Sequence, residues 1–408
     1  MKTNAVMMLC TAALSMFTVK ANASGFYLGS QDARANGMVN AFAAVADNAA
    51  ATWYNPAGTV YLDGNTNIAL GSAFATIKIK HQNTNGTPED ETKDKLNLLP
   101  NFYAVQKIND NMAISLGVNA PFGVVSNWDD SANTKGVALK SEVKDINYNL
   151  NLAYKFSEKF SAAAGLNYGQ MTATLTSAAA EIDADKSKDG YGWNVGLMYK
   201  PSDELSFSAT YRSSVKATLY GGRFKVAAYA VDLPVEADLE VPDLATIGAA
   251  WKANERWLFS LQGDYANWTT YDNLAFINSD TGNVIDLGTG PQIQRKGFGP
   301  AYSARFGTQY TLNNQWRIRG GLAYDTNPVY SKYFETRVPD SDRVEIGIGA
   351  TYQFNDSFTM DISYLRAQFL KRHVKGSHAT KNPANDATID GTYRTNANLP
   401  AISFAYKF

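Results

Sequence analysis

The sequence predicts an all-β fold: a 14-stranded antiparallel transmembrane β-barrel with an N-terminal hatch, or plug, inside its lumen. Apolar and polar residues alternate with period two from about residue 66 to the last residue, as they do when successive side chains of a strand face opposite sides. Tyrosine and phenylalanine crowd the ends of the predicted strands, where outer-membrane barrels carry aromatic girdles. Tight turns alternate with longer polar loops, which is typical of the two ends of such a barrel.

Residues 1–23 have the features of a secretory signal peptide. Residues 6–19 are apolar but too short to span a bilayer, and Ala21-Asn22-Ala23 provides the small-x-small pattern of a cleavage site. An ordinary N-terminal helix is the alternative. The one cysteine of the chain, Cys10, lies in this segment, so we expect an exported protein without disulfides.

Residues 24–60 do not alternate and are rich in alanine, glycine and asparagine. The segment is too small to hold a core of its own, so it either hangs in the periplasm or folds against something larger. A barrel of this size has a lumen that accommodates a plug. We therefore predict that residues 24–60 form the hatch.

Residues 61–408 are predicted to form the barrel. The fourteen strands are expected, within about two to four residues, at 66–80, 97–108, 112–121, 142–156, 160–175, 189–200, 204–220, 242–252, 256–268, 296–311, 315–325, 343–354, 358–370 and 391–408. Apolar residues at 402, 404 and 406 and a terminal Phe408 share one face, which looks like the signal that barrel-assembly machinery recognises. A soluble β-sandwich would alternate as well and is the alternative fold.

The composition narrows the expected partners. A formal net charge of −1 predicts no nucleic-acid partner and no basic face for anionic membranes. We expect a monomer in the outer membrane of a Gram-negative bacterium, surrounded by outer-membrane lipid and lipopolysaccharide.

The three histidines, His81, His373 and His378, lie in or beside predicted loops without a paired motif. We therefore predict neither catalysis nor a metal or other cofactor.

Four stretches share their order and spacing with a known family. They are residues 24–28 leading through 46–49 to Asn55-Pro56-Ala57-Gly58, residues 120–123 followed by Trp128, residues 241–268, and residues 339–343. In these stretches the sequence resembles the FadL family of long-chain fatty acid and hydrocarbon transporters. The resemblance implies a hatched barrel through which apolar ligands pass passively, with a kink in the third strand that opens the wall sideways.

The resemblance, together with the strand pattern, gives the candidate ligand-binding and transport residues. They are the hatch residues Phe26, Leu28, Asn55, Pro56 and Ala57, the kink residues Pro121, Phe122 and Gly123, the inward-facing arginines Arg212 and Arg305, and the apolar residues Phe224 and Leu233 of the loop 221–240. Two alternatives stay open. Pro121 can simply end its strand, and the arginines can form lumen ion pairs with carboxylates such as Asp361 and Glu345.

Other transport functions remain possible on the sequence alone. A general or substrate-selective porin would need an open lumen, against which the apolar start of the exported chain argues. Aromatic hydrocarbons would use the same architecture with a different pocket lining. The loop at 176–188 is short for the resembled family, whose outer groove uses it.

Overall fold

The computed structural model describes residues 25–93, 95–288, 290–380 and 382–408. The predicted signal peptide, residues 1–23, lies outside the described residues. Among the helices within these ranges, none is long and apolar enough to cross a bilayer.

Fourteen strands in the described residues pair as one closed antiparallel ring, because the first also pairs with the last. These wall strands are β1 (Thr66–Asn83), β2 (Leu96–Asn109), β3 (Met112–Asn119), β4 (Lys140–Ser157), β5 (Phe160–Thr176), β6 (Tyr191–Ser202), β7 (Leu205–Arg212), β8 (Asp243–Lys252), β9 (Trp257–Asn267), β10 (Pro300–Thr311), β11 (Trp316–Asp325), β12 (Arg343–Gln353), β13 (Phe358–Phe369) and β14 (Gly391–Lys407). The predicted all-β barrel is confirmed.

Shorter elements occupy the connections. The additional strands are Asp90–Glu91, Gly123–Asn127, Glu181–Ala184, Lys186–Lys188, Val215–Val226, Val231–Val241, Asn273–Ala275, Ile277–Asn278, Ile293–Arg295 and Arg372–Val374. The α-helices are α1 (Ala33–Asn36), α2 (Ala51–Tyr54) and α3 (Pro383–Ile389), and 3-10 turns span Pro56–Tyr61, Asn133–Gly136, Ala227–Tyr229, Trp268–Thr270 and Ser331–Tyr333.

One predicted strand ends far from its expected end. The seventh was predicted to continue to residue 220, but β7 ends at Arg212, and the chain leaves the ring. Residues 221–240 are not an irregular loop, because Val215–Val226 pairs with Val231–Val241 as a hairpin. Alternation continues through this hairpin, so periodicity could not show where the ring ends. The third strand was predicted to reach residue 121, and β3 ends at Asn119, within the margin of two to four residues given for the predicted bounds.

The outer face of the ring is apolar. Leu98, Leu166, Ile247 and Ile348 are each 61–68% exposed, a large apolar area for water but the expected surface toward hydrocarbon. Every strand pairs with neighbours on both sides around the ring, so its backbone groups need no lipid partner over most of the wall. One interruption of this pairing is described below.

Residues 25–62, the N-terminal segment, pack against inward-facing groups of strands around the ring. Hydrogen bonds join the segment to β5, β6, β9, β13 and β14. One of them accompanies an ion pair, in which the buried Arg34 guanidinium lies 3.2 Å from the carboxylate of Asp361. The segment is therefore fixed to wall strands well separated along the chain.

A row of glycines lets the N-terminal segment approach the wall closely. Gly307, Gly321 and Gly347 are register partners on β10, β11 and β12. A Cβ added at Gly307 or Gly321 would lie 2.9 Å or 2.8 Å from Met38 atoms, and one at Gly347 would lie 2.9 Å from the Asn36 carbonyl oxygen. Any larger residue there would displace the segment.

Candidate functional site

The wall of the barrel is interrupted between β2 and β3. The last register pair of these strands toward the end of β3 is Phe102 with Val118. Residues 96–101 of β2 still pair with β1, but in the described residues none of them pairs with the third strand. After Asn119 the chain bends, and Gly123–Asn127 continues the pairing with β4 on the other side. We call this interruption the wall gap; it is bordered by residues 96–101 and 120–125.

The N-terminal segment supplies the hydrogen bonds that the bent chain lacks. The Leu28 amide donates to the Pro121 carbonyl at 2.8 Å, and the Gly123 amide donates to the Phe26 carbonyl at 2.9 Å. Pro121 has no amide hydrogen to satisfy. The predicted kink residues therefore contact the predicted hatch residues directly.

Gln31 completes this junction with its side chain. Its Oε1 atom accepts from the Ala120 amide at 3.1 Å, while its Nε2 atom donates to the carbonyls of Ala120 at 3.0 Å and Leu28 at 2.7 Å. Gln31 and Ala120 are both buried. One amide side chain thus replaces the two backbone hydrogen bonds that a neighbouring strand would give Ala120.

A cavity of about 440 Å³ lies behind the wall gap. Most of its lining is apolar and comes from the N-terminal segment and the inner faces of several strands, including Phe26, Leu28, Leu99, Phe122, Leu365 and Phe369. Leu96 and Leu98 also line it, although both side chains are exposed on the outer face. The cavity therefore reaches from the lumen to the outer side of the wall.

Aromatic side chains close the cavity toward the long loops. Phe26 packs edge-on against Trp268, with ring centroids 4.3 Å apart, and Trp268 also contacts Phe122 and Phe298. The loop after β11 lies over this cluster, and the Trp128 indole donates to the Thr336 carbonyl at 3.0 Å. Access from the long-loop side therefore requires these aromatic contacts to move.

Buried charges hold the long loops together. Lys296 and Glu335, from different loops, form a buried ion pair. Burial lowers the pKa of Lys296, and the negative charge of Glu335 opposes this effect.

Closer to the wall gap, Lys95, Lys140 and Lys144 all pair with Glu142, which leaves an excess of positive charge at the outer rim of the gap.

Arg305, a predicted ligand anchor, is engaged by carboxylates of the barrel. Its guanidinium lies 2.7 Å from Asp264, 2.9 Å from Asp325 and 2.9 Å from Glu345. This arrangement matches the alternative of a lumen ion pair. Although Arg305 lines the cavity, its charge is already compensated.

Arg212 is placed differently. Its guanidinium stacks on Trp53 at 3.9 Å from the ring centroid, donates to the side-chain oxygens of Asn167 and Asn194, and donates to the Trp53 carbonyl. No ion pair of Arg212 with a carboxylate occurs among the described residues. It borders a small cavity of about 40 Å³ that shares Tyr27 and Arg305 with the main cavity.

The other predicted site residues fall into two groups. Asn55 has a structural role: its side chain caps the turn that begins at Pro56 and donates to the carbonyls of Ala43 and Leu197. Asn55, Pro56 and Ala57 are not among the residues that line the main cavity. Phe224 and Leu233 belong to a separate apolar cluster of the hairpin after β7.

Several cavity residues were not predicted. Gln31, which does not line the cavity but holds Ala120 beside it, has no motif in the sequence. Leu96, Leu98, Leu365 and Phe369 resemble many other apolar strand residues in the sequence, and Asp145 is a single polar residue without a motif. The pattern of alternation assigns each of them a face. It does not show which faces meet around one cavity.

Comparison with known proteins identifies the family to which this architecture belongs. The model of the family described as "Outer membrane protein transport protein (OMPP1/FadL/TodX)" matches residues 14–408. A long-chain fatty acid transport protein of Salmonella typhi is 24% identical over 409 residues, which cover 88% of this chain and 91% of that protein.

Two solved structures show the same fold. A Pseudomonas aeruginosa FadL homologue superposes with a TM-score of 0.81 at 21% identity, covering 94% of this chain and 100% of that one. The Ralstonia pickettii toluene transporter TbuX superposes with a TM-score of 0.69 at 15% identity, covering 92% and 98%.

Proposed function

The chain belongs to the OMPP1/FadL/TodX family of outer membrane transport proteins, and from this premise we propose that it passively transports long-chain fatty acids or other hydrophobic small molecules. The observation that carries the proposal is the apolar cavity of about 440 Å³ that reaches the wall gap. A cavity with such a lining binds an alkyl or aryl group by removing its surface from water.

The N-terminal segment has the role of a plug in this proposal. We assign residues 24–60 to the hatch and 61–408 to the barrel. The close fit of Met38 against the glycine row and the ion pair between Arg34 and Asp361 support this assignment. A plugged lumen distinguishes the protein from an open porin, the rival function that the sequence left open.

The ligand leaves sideways through the wall gap in this proposal. Descent to the periplasm would carry an apolar tail into water, at a cost of about 0.8 kcal/mol per methylene. A lateral exit keeps the tail in hydrocarbon. The unpaired backbone that such an exit requires is costly in lipid, and here the N-terminal segment satisfies it at Pro121 and Gly123.

Two substrate classes are compatible with this site. The relative from Salmonella typhi is named for long-chain fatty acids, and TbuX is named for toluene. Arg212 is our candidate partner for an ionised carboxylate, because the three carboxylates around Arg305 already occupy that guanidinium. Identifying the hydrophobic molecule that copurifies with the protein would separate the two classes.

A cross-linking experiment tests the route. Leu98→Cys and Val124→Cys would be joined across the wall gap by a bifunctional thiol reagent, since both positions border the cavity. The control joins Leu166→Cys to Trp193→Cys, which are register partners on the intact β5–β6 pair. We expect uptake to fall only for the first pair while ligand binding persists. Unimpaired uptake in the fully cross-linked protein would exclude lateral exit.

A further inference from the structure

The outer mouth of the wall gap is lined by residues of opposite character. Leu96 and Leu98 of β2 line the main cavity and are exposed on the outer face of the wall. Lys95, directly before β2, and Lys144 of β4 line the same cavity; we call them the rim lysines. Both strands begin at long loops, so the rim lysines lie on the long-loop side of the mouth, and the leucines follow toward the middle of the wall.

Three lysines at this rim share one carboxylate. The Nζ atoms of Lys95 and Lys140 lie 2.6 Å and 3.4 Å from the Oε2 atom of Glu142, and Lys144 pairs with its Oε1 atom. In the part of the chain that the structure describes, these lysines form no ion pair with another carboxylate. The Glu142 side chain is only 8% exposed, whereas those of the rim lysines are 40% and 63% exposed. Two positive charges therefore remain uncompensated and accessible.

The cluster around Glu142 faces the outer side of the wall. Lys140, Glu142 and Lys144 alternate on the face of β4 that also carries Tyr148 and Leu150, whose side chains are exposed on the outer wall. The rim lysines nevertheless line the apolar cavity. Long charged side chains commonly cover apolar surface with their methylene groups while the ammonium group stays in a polar environment.

The other cations that line the main cavity are already compensated. Arg305 and Arg343 each form ion pairs with two buried carboxylates, Asp325 and Glu345. Among the described residues that line this cavity, uncompensated positive charge therefore occurs at the rim lysines.

A single-chain amphiphile that leaves the wall sideways ends with its tail in hydrocarbon and its head group at the membrane surface, and the mouth of the wall gap has the same polarity. We propose that the rim lysines bind the ionised head group of an anionic amphiphile, such as a fatty-acid carboxylate, whose tail lies along Leu96 and Leu98. This inference rests on the proposed transport function and deepens it. Arg212 is the partner inside the lumen, so the head group has two successive positions.

Equilibrium binding of dodecanoate and 1-dodecanol tests the site, because the two ligands share a tail and differ in head-group charge. Both affinities are measured in nonionic detergent free of anionic lipid, for Arg212→Ala with and without added Lys95→Gln and Lys144→Gln; Arg212→Gln serves as a second background. We expect the lysine substitutions to weaken dodecanoate binding by about two- to tenfold, as for exposed ion pairs, and to spare dodecanol. High salt should weaken dodecanoate binding only where the rim lysines are present.

Lys140→Gln in the same backgrounds is the matched control, because Lys140 also pairs with Glu142 but is not among the residues that line the main cavity. It should leave both affinities unchanged. Unchanged dodecanoate binding without the rim lysines, equal losses for the two ligands, or an equal loss in K140Q would overturn the rim site and leave the transport proposal intact. Failure of the wild-type protein to bind either ligand would instead contradict the transport proposal itself.

Discussion

Replacing Gln31 by leucine should loosen the bent chain at the wall gap. The substitution preserves an extended side chain but removes the three side-chain hydrogen bonds to Leu28 and Ala120. The amide and carbonyl of the buried Ala120 then lose their partners. Each buried group left unsatisfied costs about 1–3 kcal/mol, so the local cost is about 2–6 kcal/mol where water does not replace the side chain.

Gln262→Leu is the matched control. The Gln262 Oε1 atom accepts from the amides of Phe42 and Ala43, both at 3.0 Å. Its loss therefore leaves the Ala43 amide without a partner, at a cost of about 1–3 kcal/mol, while the Phe42 amide still donates to the Asn40 carbonyl at 2.8 Å. Gln262 lies on β9, away from the wall gap, so this variant loosens the N-terminal segment at a different place.

Hydrogen exchange of the peptide covering residues 118–125 measures the effect. A loss of about 2 kcal/mol corresponds to roughly 30-fold faster opening, and we expect this in Q31L but not in Q262L. Ligand affinity should fall only in Q31L, because Leu28 and Ala120 both line the cavity. If exchange at 118–125 stays unchanged in Q31L, or rises as much in Q262L, the reasoning about this junction is refuted.

Four further predictions concern the plug and the arginines. Deleting residues 24–60 should raise ion conductance in planar bilayers, and unchanged conductance would contradict the plug assignment. Gly321→Val should raise conductance as well, because its side chain would occupy the space of Met38; Gly320→Val, whose added Cβ meets only one atom within 4 Å at 3.9 Å, is the control. Arg212→Ala should weaken binding of an ionised fatty acid about tenfold to a hundredfold and spare its alcohol analogue. Arg305→Ala should chiefly destabilise the barrel, since Asp264 and the buried Asp325 and Glu345 each lose an ion pair, which thermal unfolding measures.

The sequence predicted the ring of strands because side-chain alternation is a local property that every strand displays by itself. β4 and β12, for example, agree within two residues with their predicted bounds. Prediction of the seventh strand failed at its end for the same reason. Alternation continues where the chain leaves the ring at Arg212, and it does not reveal that residues 96–101 lack a partner on one side.

The candidate site was predictable only in part. Phe26, Leu28, Phe122 and Gly123 were identified from the resemblance and do line the cavity, whereas Phe224 and Leu233 lie in another cluster. The roles of the two arginines were indistinguishable in sequence, because both alternate onto the inner face. Carboxylates from β9, β11 and β12 surround Arg305 of β10, and alternation alone does not show which inward side chains of neighbouring strands meet.

The sequence by itself therefore determined the fold class, the number of wall strands and the face on which each side chain lies, since strand geometry fixes these locally. Only the tertiary structure decided which inward faces meet, which arginine is compensated, and how Gln31 substitutes for a missing strand at Ala120. These features depend on groups that strand pairing and the packing of the N-terminal segment bring together, and no local pattern encodes their distances.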